Sequence, residues 1–206
     1  MTAEGNWPLM NTPLLVLYVL NFLMIIVTPR IFFRKDGAFN LRWWLTALPF
    51  GLCPAALVVA WVTGLAPYRP RSWDAPSELL AVLLAAGSLS LLFFTLGTHR
   101  VPISLWHQVN DAPRHIVTEG AYRRIRHPFY ASYLLAVTGA VVFFPHWTTI
   151  ALAIYVGVVL NAPAAKEERK LLGSEYGTEY AQYLARTGRF VPRLRQPCAP
   201  VAEVTT

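Results

Sequence analysis

The stretch FYASYLLAVTGAVVFFPHWTTIALAIYVGVVLNAPAA, from Phe129 to Ala165, runs for 37 residues without a charge. A helix crossing a hydrocarbon core needs about 20 apolar residues, so this run holds two. Pro145-His146 divides it near the middle, because proline has no N–H to donate and breaks a helix interior. The reading is a hairpin of two membrane spans, Phe129 to Phe144 and Trp147 to Ala165, whose free ends meet on one side of the bilayer. Outward from the hairpin, the uncharged runs Met10 to Thr28, Trp43 to Tyr68 and Leu79 to Thr98 each hold one further span. The expected fold is all-α, a polytopic membrane helical bundle of about five transmembrane helices.

Composition agrees with that count. The chain is 55% hydrophobic and 14% charged, with a mean hydropathy of +0.40, against about 25% charged residues in a water-soluble domain. Its 7 Trp, 11 Phe and 9 Tyr exclude a disordered tail protein. Two cysteines, Cys53 and Cys198, build neither a disulfide framework nor a Cys-based metal site. The net charge of +7 would point a soluble protein toward nucleic acid; here it points to a membrane face, and no nucleic-acid partner is expected. Arg69 and Arg71 lie between spans two and three, whereas the other Lys and Arg follow span one, three or five. The positive-inside rule then puts the N-terminus outside and the C-terminus in the cytoplasm, with anionic membrane lipids against the basic loops. Glu4 is the sole charge before the first apolar run, so a cleaved signal peptide, which needs a basic n-region, is not expected.

The organisation is asymmetric. Residues 1–98 carry three transmembrane helices, 99–193 a core with the hairpin and a C-terminal lid helix, and 194–206 a flexible tail. In the lid, Glu168, Leu172, Tyr176, Tyr180 and Leu184 recur at i+4 and share a face, with Tyr183 beside them. Such a stripe is first of all packing, and Gly173 and Gly177 weaken the helix, so the tail is expected to fold back over the membrane domain.

Two polar clusters flank the hairpin at its open end: Gly120-Ala-Tyr122-Arg-Arg-Ile-Arg126-His127-Pro128-Phe-Tyr130, and Ala165-Lys-Glu167-Glu168-Arg-Lys-Leu171. The hairpin brings His127 near Glu167 and Glu168. Pro128 suits a first helical turn, where free N–H groups attract an anion. Imidazole, Arg126 and the helix start suit a carboxylate; Glu168 suits hydroxyl or ammonium groups; Tyr122 or Tyr130 suits a sulfonium. S-adenosylmethionine bears that set of groups. The bland alternative is an anchor and cap at the membrane boundary with a solvated Glu-Glu face. His99, His107 and His115 lack the spacing of a zinc site, so no metal is expected, and neither GxGxxG nor a P-loop occurs.

The run His115-Ile-Val-Thr-Glu-Gly120-Ala-Tyr122 followed by Arg126-His127-Pro128-Phe-Tyr130, and the later Glu167-Glu168-Arg-Lys-Leu171, Tyr176-Gly177, Tyr180, Tyr183 and Pro192, resemble the paired motifs of the isoprenylcysteine carboxyl methyltransferase and phospholipid methyltransferase group of integral membrane enzymes. The resemblance covers residues 97 to 193. It implies a membrane methyltransferase whose S-adenosylmethionine lies in a cytoplasm-facing pocket closed by the C-terminal segment. Gly120 and Tyr122 would border the cofactor, His127, Pro128 and Tyr130 would wall it, Glu167 and Glu168 would hold its polar end, and Tyr180 and Tyr183 would complete the lid. Arg100 and Arg126 are the candidate catalytic residues. Where members often carry an arginine four residues before the glutamate pair, this chain has Pro163. The acceptor that the resemblance implies is a lipophilic small molecule or lipid with a carboxylate, thiol or amine. Two other functions compete: an NADPH-dependent membrane reductase of sterol-reductase-like architecture, and a non-enzymatic membrane scaffold.

Overall fold

A computed structural model of the chain describes residues 11–27, 38–39, 41–98 and 116–193. Arg100, His99, His107, His115 and the tail 194–206 lie outside the described residues. Six α-helices are described: α1 (Thr12–Val27), α2 (Leu41–Thr63), α3 (Asp74–Thr98), α4 (Pro128–Phe143), α5 (Trp147–Leu172) and α6 (Gly177–Arg186). Short 3-10 turns, Arg71–Trp73 and Gly120–Arg123, precede α3 and α4. No strand occurs among the described residues; Ile125 and Gly188 form an isolated parallel bridge.

Small side chains set the tightest interface, between α3 and α4. Ala81, Ala85, Ser88 and Thr95 are buried on α3 and face a helix that buries Ser132, Ala136, Gly139 and Ala140. Small residues let helix backbones approach closely where lipid tails give no hydrophobic drive for association. Gly139 has no room for a methyl group: a Cβ there would lie 2.0 Å from the Tyr18 hydroxyl. That hydroxyl crosses to α3 and donates to the Ala81 carbonyl at 2.8 Å. The Ser88 hydroxyl donates to the Ser132 carbonyl at 2.8 Å, so these two hydroxyls find partners between helices, whereas the buried Tyr133 hydroxyl of α4 has none among the described residues.

The outward faces are apolar. Val16, Leu20 and Leu23 of α1, Val59 and Val62 of α2, Leu79, Leu83, Phe93 and Phe94 of α3, and Ile154 and Val158 of α5 are all exposed. A surface of this kind suits contact with lipid rather than water. Arg71–Thr98 (28 residues) and Trp147–Leu172 (26 residues) are long and apolar enough to cross a membrane; Thr12–Val27, Ala47–Thr63 and Pro128–Phe143 are apolar but shorter.

The α4–α5 hairpin forms where the 37-residue run predicts it. His146 caps α5, its ring accepting from the Thr148 N–H at 3.3 Å while the Thr149 hydroxyl accepts from the His146 N–H at 3.2 Å. One expectation needs correction. The helical face from Glu168 to Leu184 is not continuous, because α5 ends at Leu172 and α6 begins only at Gly177. A Cβ at Gly177 would lie 2.4 Å from the Leu172 carbonyl oxygen, so glycine permits the sharp turn between the two helices. The buried face of α6 is Tyr180 and Tyr183, continued by Thr187 beyond its end, while Leu172 is exposed.

Candidate functional site

The hairpin brings the start of α4 against the polar end of α5, which extends past Ala165 as Lys166 to Leu172. Residues 124–127 lie beside the strap 187–190 that follows α6. The Gly188 N–H donates to the Arg124 carbonyl (3.1 Å), Arg126 N–H to the Gly188 carbonyl (2.8 Å) and His127 N–H to the Arg189 carbonyl (3.0 Å). Gly188 tolerates no side chain, since a Cβ would lie 1.8 Å from the Val191 carbonyl oxygen.

Glu168 is the hub. Its side chain is 6% exposed, and Arg126 (9%) and Arg189 (33%) both pair with it. The Arg126 Nε donates to Oε1 at 2.9 Å. Arg189 approaches side-on, its Nε lying 3.1 Å from Oε1 and 3.2 Å from Oε2, its Nη2 on Oε2 and its Nη1 on Asn161 Oδ1 at 2.7 Å. Burial alone would raise the Glu168 carboxyl; the His127 ring 3.4 Å away and the Arg189 and Arg126 guanidinium groups outweigh it and hold the group well below the usual carboxylate range. Arg126 also fastens the end of α6, its Nη1 contacting the carbonyls of Leu184 (3.3 Å) and Thr187. The guanidinium therefore faces the end of α6 and Glu168, and its contacts are those of a fastening.

His127 stands between the two glutamates. Its Nδ1 is 3.5 Å from Glu167 Oε2 and its Nε2 is 3.4 Å from Glu168 Oε1. The ring stacks on Tyr130 with centroids 5.4 Å apart, and Phe190 covers it at 6.0 Å. Burial lowers its pKa, against the pull of Glu168, so the imidazole is neutral near pH 7. Its side chain is 9% exposed, yet Nε2 has no hydrogen-bond partner among the described residues. A buried polar atom without a partner is uncommon and asks for a reason.

Glu167 behaves differently from its neighbour. It accepts from the Tyr130 hydroxyl at 3.2 Å and keeps 30% of its side chain exposed. Burial raises its pKa to about 7, opposed by the Tyr130 bond and reinforced by the Glu168 charge. The Tyr183 hydroxyl donates to the Tyr122 carbonyl at 2.6 Å, which fastens α6 over the Gly120–Arg123 turn. Gly120 (φ +56°) packs on α3, where a Cβ would lie 2.4 Å from Thr98 Oγ1. An open apolar groove of about 440 Å³, lined by Leu134, Gly157, Val158, Asn161, Ala162 and Phe190, runs along the hairpin to the covering Phe190 ring.

Arg126, His127, Tyr130, Glu167 and Glu168 thus converge, with Pro128 buried at the first position of α4. Gly120, Tyr122, Tyr180 and Tyr183 form the packing between α3, the 3-10 turn and α6. Arg189, Asn161, Thr187 and Phe190 escape the sequence reading. Arg189-Phe190 directly precedes the closing Val191-Pro192, and that position was the one available signal.

Two comparisons with known proteins bear on the site. Residues 79–179 match the family described as phospholipid methyltransferase. The chain is also similar to the cobalt-zinc-cadmium resistance protein CzcN of Cupriavidus metallidurans, 26% identical over 138 residues, which are 67% of this chain and 62% of that protein.

Proposed function

We propose that the chain is an integral membrane, S-adenosylmethionine-dependent methyltransferase acting on a lipophilic acceptor, in the manner of the isoprenylcysteine carboxyl methyltransferases; the match of residues 79–179 to the phospholipid methyltransferase family supports this reading. The observation that carries the reading is the buried, neutral His127 with an unpartnered Nε2, between a saturated carboxylate and an open one.

That arrangement fits the methyl donor's polar groups. The Nε2 of a neutral His127 can offer an N–H to one oxygen of a ligand carboxylate beside the Arg126 and Arg189 guanidinium groups. Glu167 has lone pairs to spare and suits the ammonium. The rings of Tyr130 and Phe190 suit the sulfonium, which supplies a transferable methyl group when the donor is bound. We assign Glu168 to holding the two arginines, and His127 and Glu167 to contact with the ligand. The strap and α6 keep water from the polar end, and the apolar groove beside Phe190 suits the hydrocarbon part of an acceptor. An acceptor that arrives as an anion needs no base; an amine must lose a proton, and Glu167, titrating near neutrality, is placed to take it. Most of the rate then comes from alignment, worth roughly 7–11 kcal/mol in favourable cases. The five spans, with the N-terminus outside and this site on the cytoplasmic face, are part of the same proposal.

Isothermal titration of the detergent-purified protein with S-adenosylhomocysteine tests it, with NADPH as control. Saturable binding that falls at least tenfold in His127→Ala, with the protein still folded, is the expected result. No binding of S-adenosylhomocysteine to folded wild type overturns it, and NADPH binding would then favour a reductase.

A further inference from the structure

The strap that follows α6 makes four kinds of contact with the site, and three of them come from one residue. Arg189 grips both oxygens of Glu168, donates to Asn161 on the same face of α5, and through its own carbonyl receives the His127 backbone N–H. The next residue, Phe190, covers the His127 and Tyr130 rings. Glu168, Asn161 and His127 lie on two different elements, and Arg189 spans them.

From this geometry we infer that Arg189 is a positioning residue of the site: it fixes the orientation and the ionised state of Glu168, and through the paired backbone it sets the place of His127. The inference rests on the methyltransferase reading for its consequence in binding, but its first consequence concerns the ligand-free protein. Arg126 alone cannot replace it. The Arg126 Nε reaches only Oε1, and its Nη1 is committed to the end of α6. An Arg–carboxylate fork adds geometric constraint that one point contact lacks. The charged or titratable groups facing Glu168 are Arg126 and His127 from the segment before α4, Arg189 from the strap, Tyr180 from α6, and its own neighbour Glu167. Arg189 and Arg126 are the cations among them, so removing Arg189 leaves a buried carboxylate with half its compensation.

The test uses the full-length protein in detergent, as Arg189→Gln and Arg189→Lys beside wild type. Infrared pH titration of the ligand-free protein, with Glu168→Gln to assign the band, reports the Glu168 carboxylate directly. In wild type the band persists through the ordinary glutamate range; in Arg189→Gln it is expected to titrate at a higher pH, and Arg189→Lys to restore the wild-type behaviour in part. S-adenosylhomocysteine affinity is expected to fall about tenfold in Arg189→Gln at pH 7.5, with a steeper further loss toward pH 5.5 than wild type suffers. Melting temperatures in the same buffers show that each variant is folded. A Glu168 band that titrates identically in wild type and Arg189→Gln overturns the inference. Equal loss of affinity in both variants at every pH also overturns it, because the strap would then be only a structural cover. An altered band together with no binding by wild type would leave the inference standing and remove the methyltransferase reading instead.

Discussion

The two ends of the α4–α5 hairpin are each closed by an arginine, and they differ in what they leave over. At the turn end, Arg69 (9% exposed) pairs with Asp74 at 2.8 Å and donates to the carbonyls of Val142 (3.0 Å) and Phe143 (2.5 Å), the last carbonyls of α4. Tyr68 N–H reaches Pro145 at 2.7 Å, and His146 and Thr149 cap α5 reciprocally. No buried side-chain polar atom in that set lacks a partner. At the open end, Arg126 and Arg189 are equally committed, but His127 keeps an unpartnered Nε2 and Glu167 a half-titrated carboxylate. A polar network that serves only the fold tends to be completed, whereas one that serves a ligand carries unmet capacity. The ends of one hairpin supply an internal control for that rule.

The comparison breaks most visibly at Glu168. Glu168→Ala leaves Arg126 and Arg189 without their common partner in a buried setting, which costs about 3–5 kcal/mol. The expected outcome is a large drop in melting temperature, with ligand binding lost. Retention of wild-type stability would mean that the arginines find carbonyls enough without it. Arg69→Ala tests the turn end and should cost less, about 2 kcal/mol for the hydrogen bonds of a buried cation. Affinity for S-adenosylhomocysteine should not change. A loss of affinity there would show that the two ends are coupled through the hairpin.

Much of this contrast is legible in the sequence, and for a physical reason. A 37-residue uncharged run with Pro145-His146 at its centre has one low-energy solution in a membrane, and that solution alone carries His127 to Glu167 and Glu168. The remainder depends on contacts that no periodicity encodes. Arg189 is one of 18 basic residues, indistinguishable by charge from a lipid anchor until the strap folds back beside residues 124–127. Gly120 and Gly188 read as loop residues, yet Thr98 and the Val191 carbonyl occupy the space their side chains would need. The i+4 stripe from Glu168 to Leu184 misleads because periodicity continues through a turn; Gly173 to Tyr176 interrupts the helix without disturbing the spacing.

The smallest expected effect separates the two glutamates by sign. Folding raises the Glu167 pKa from 4.5 to about 7, mainly by burial. The native state therefore binds its proton more tightly than the unfolded chain. That contribution to stability is complete below about pH 4.5, declines as pH rises, and is gone once pH passes about 7. His127, whose pKa is lowered, acts in the opposite direction below its ordinary value, and Tyr130 and Glu168 also face Glu167. The informative quantity is thus the difference between wild type and Glu167→Gln, which keeps the neighbours and removes the titration. Relative to the variant, wild type should lose melting temperature between pH 5 and 7.5, while its affinity for the amino-acid ligand rises over the same interval as the carboxylate ionises. Opposed trends in one window are what a group held for a ligand produces. Parallel trends, or none in the difference, would make Glu167 a surface carboxylate and leave the comparison resting on His127 alone.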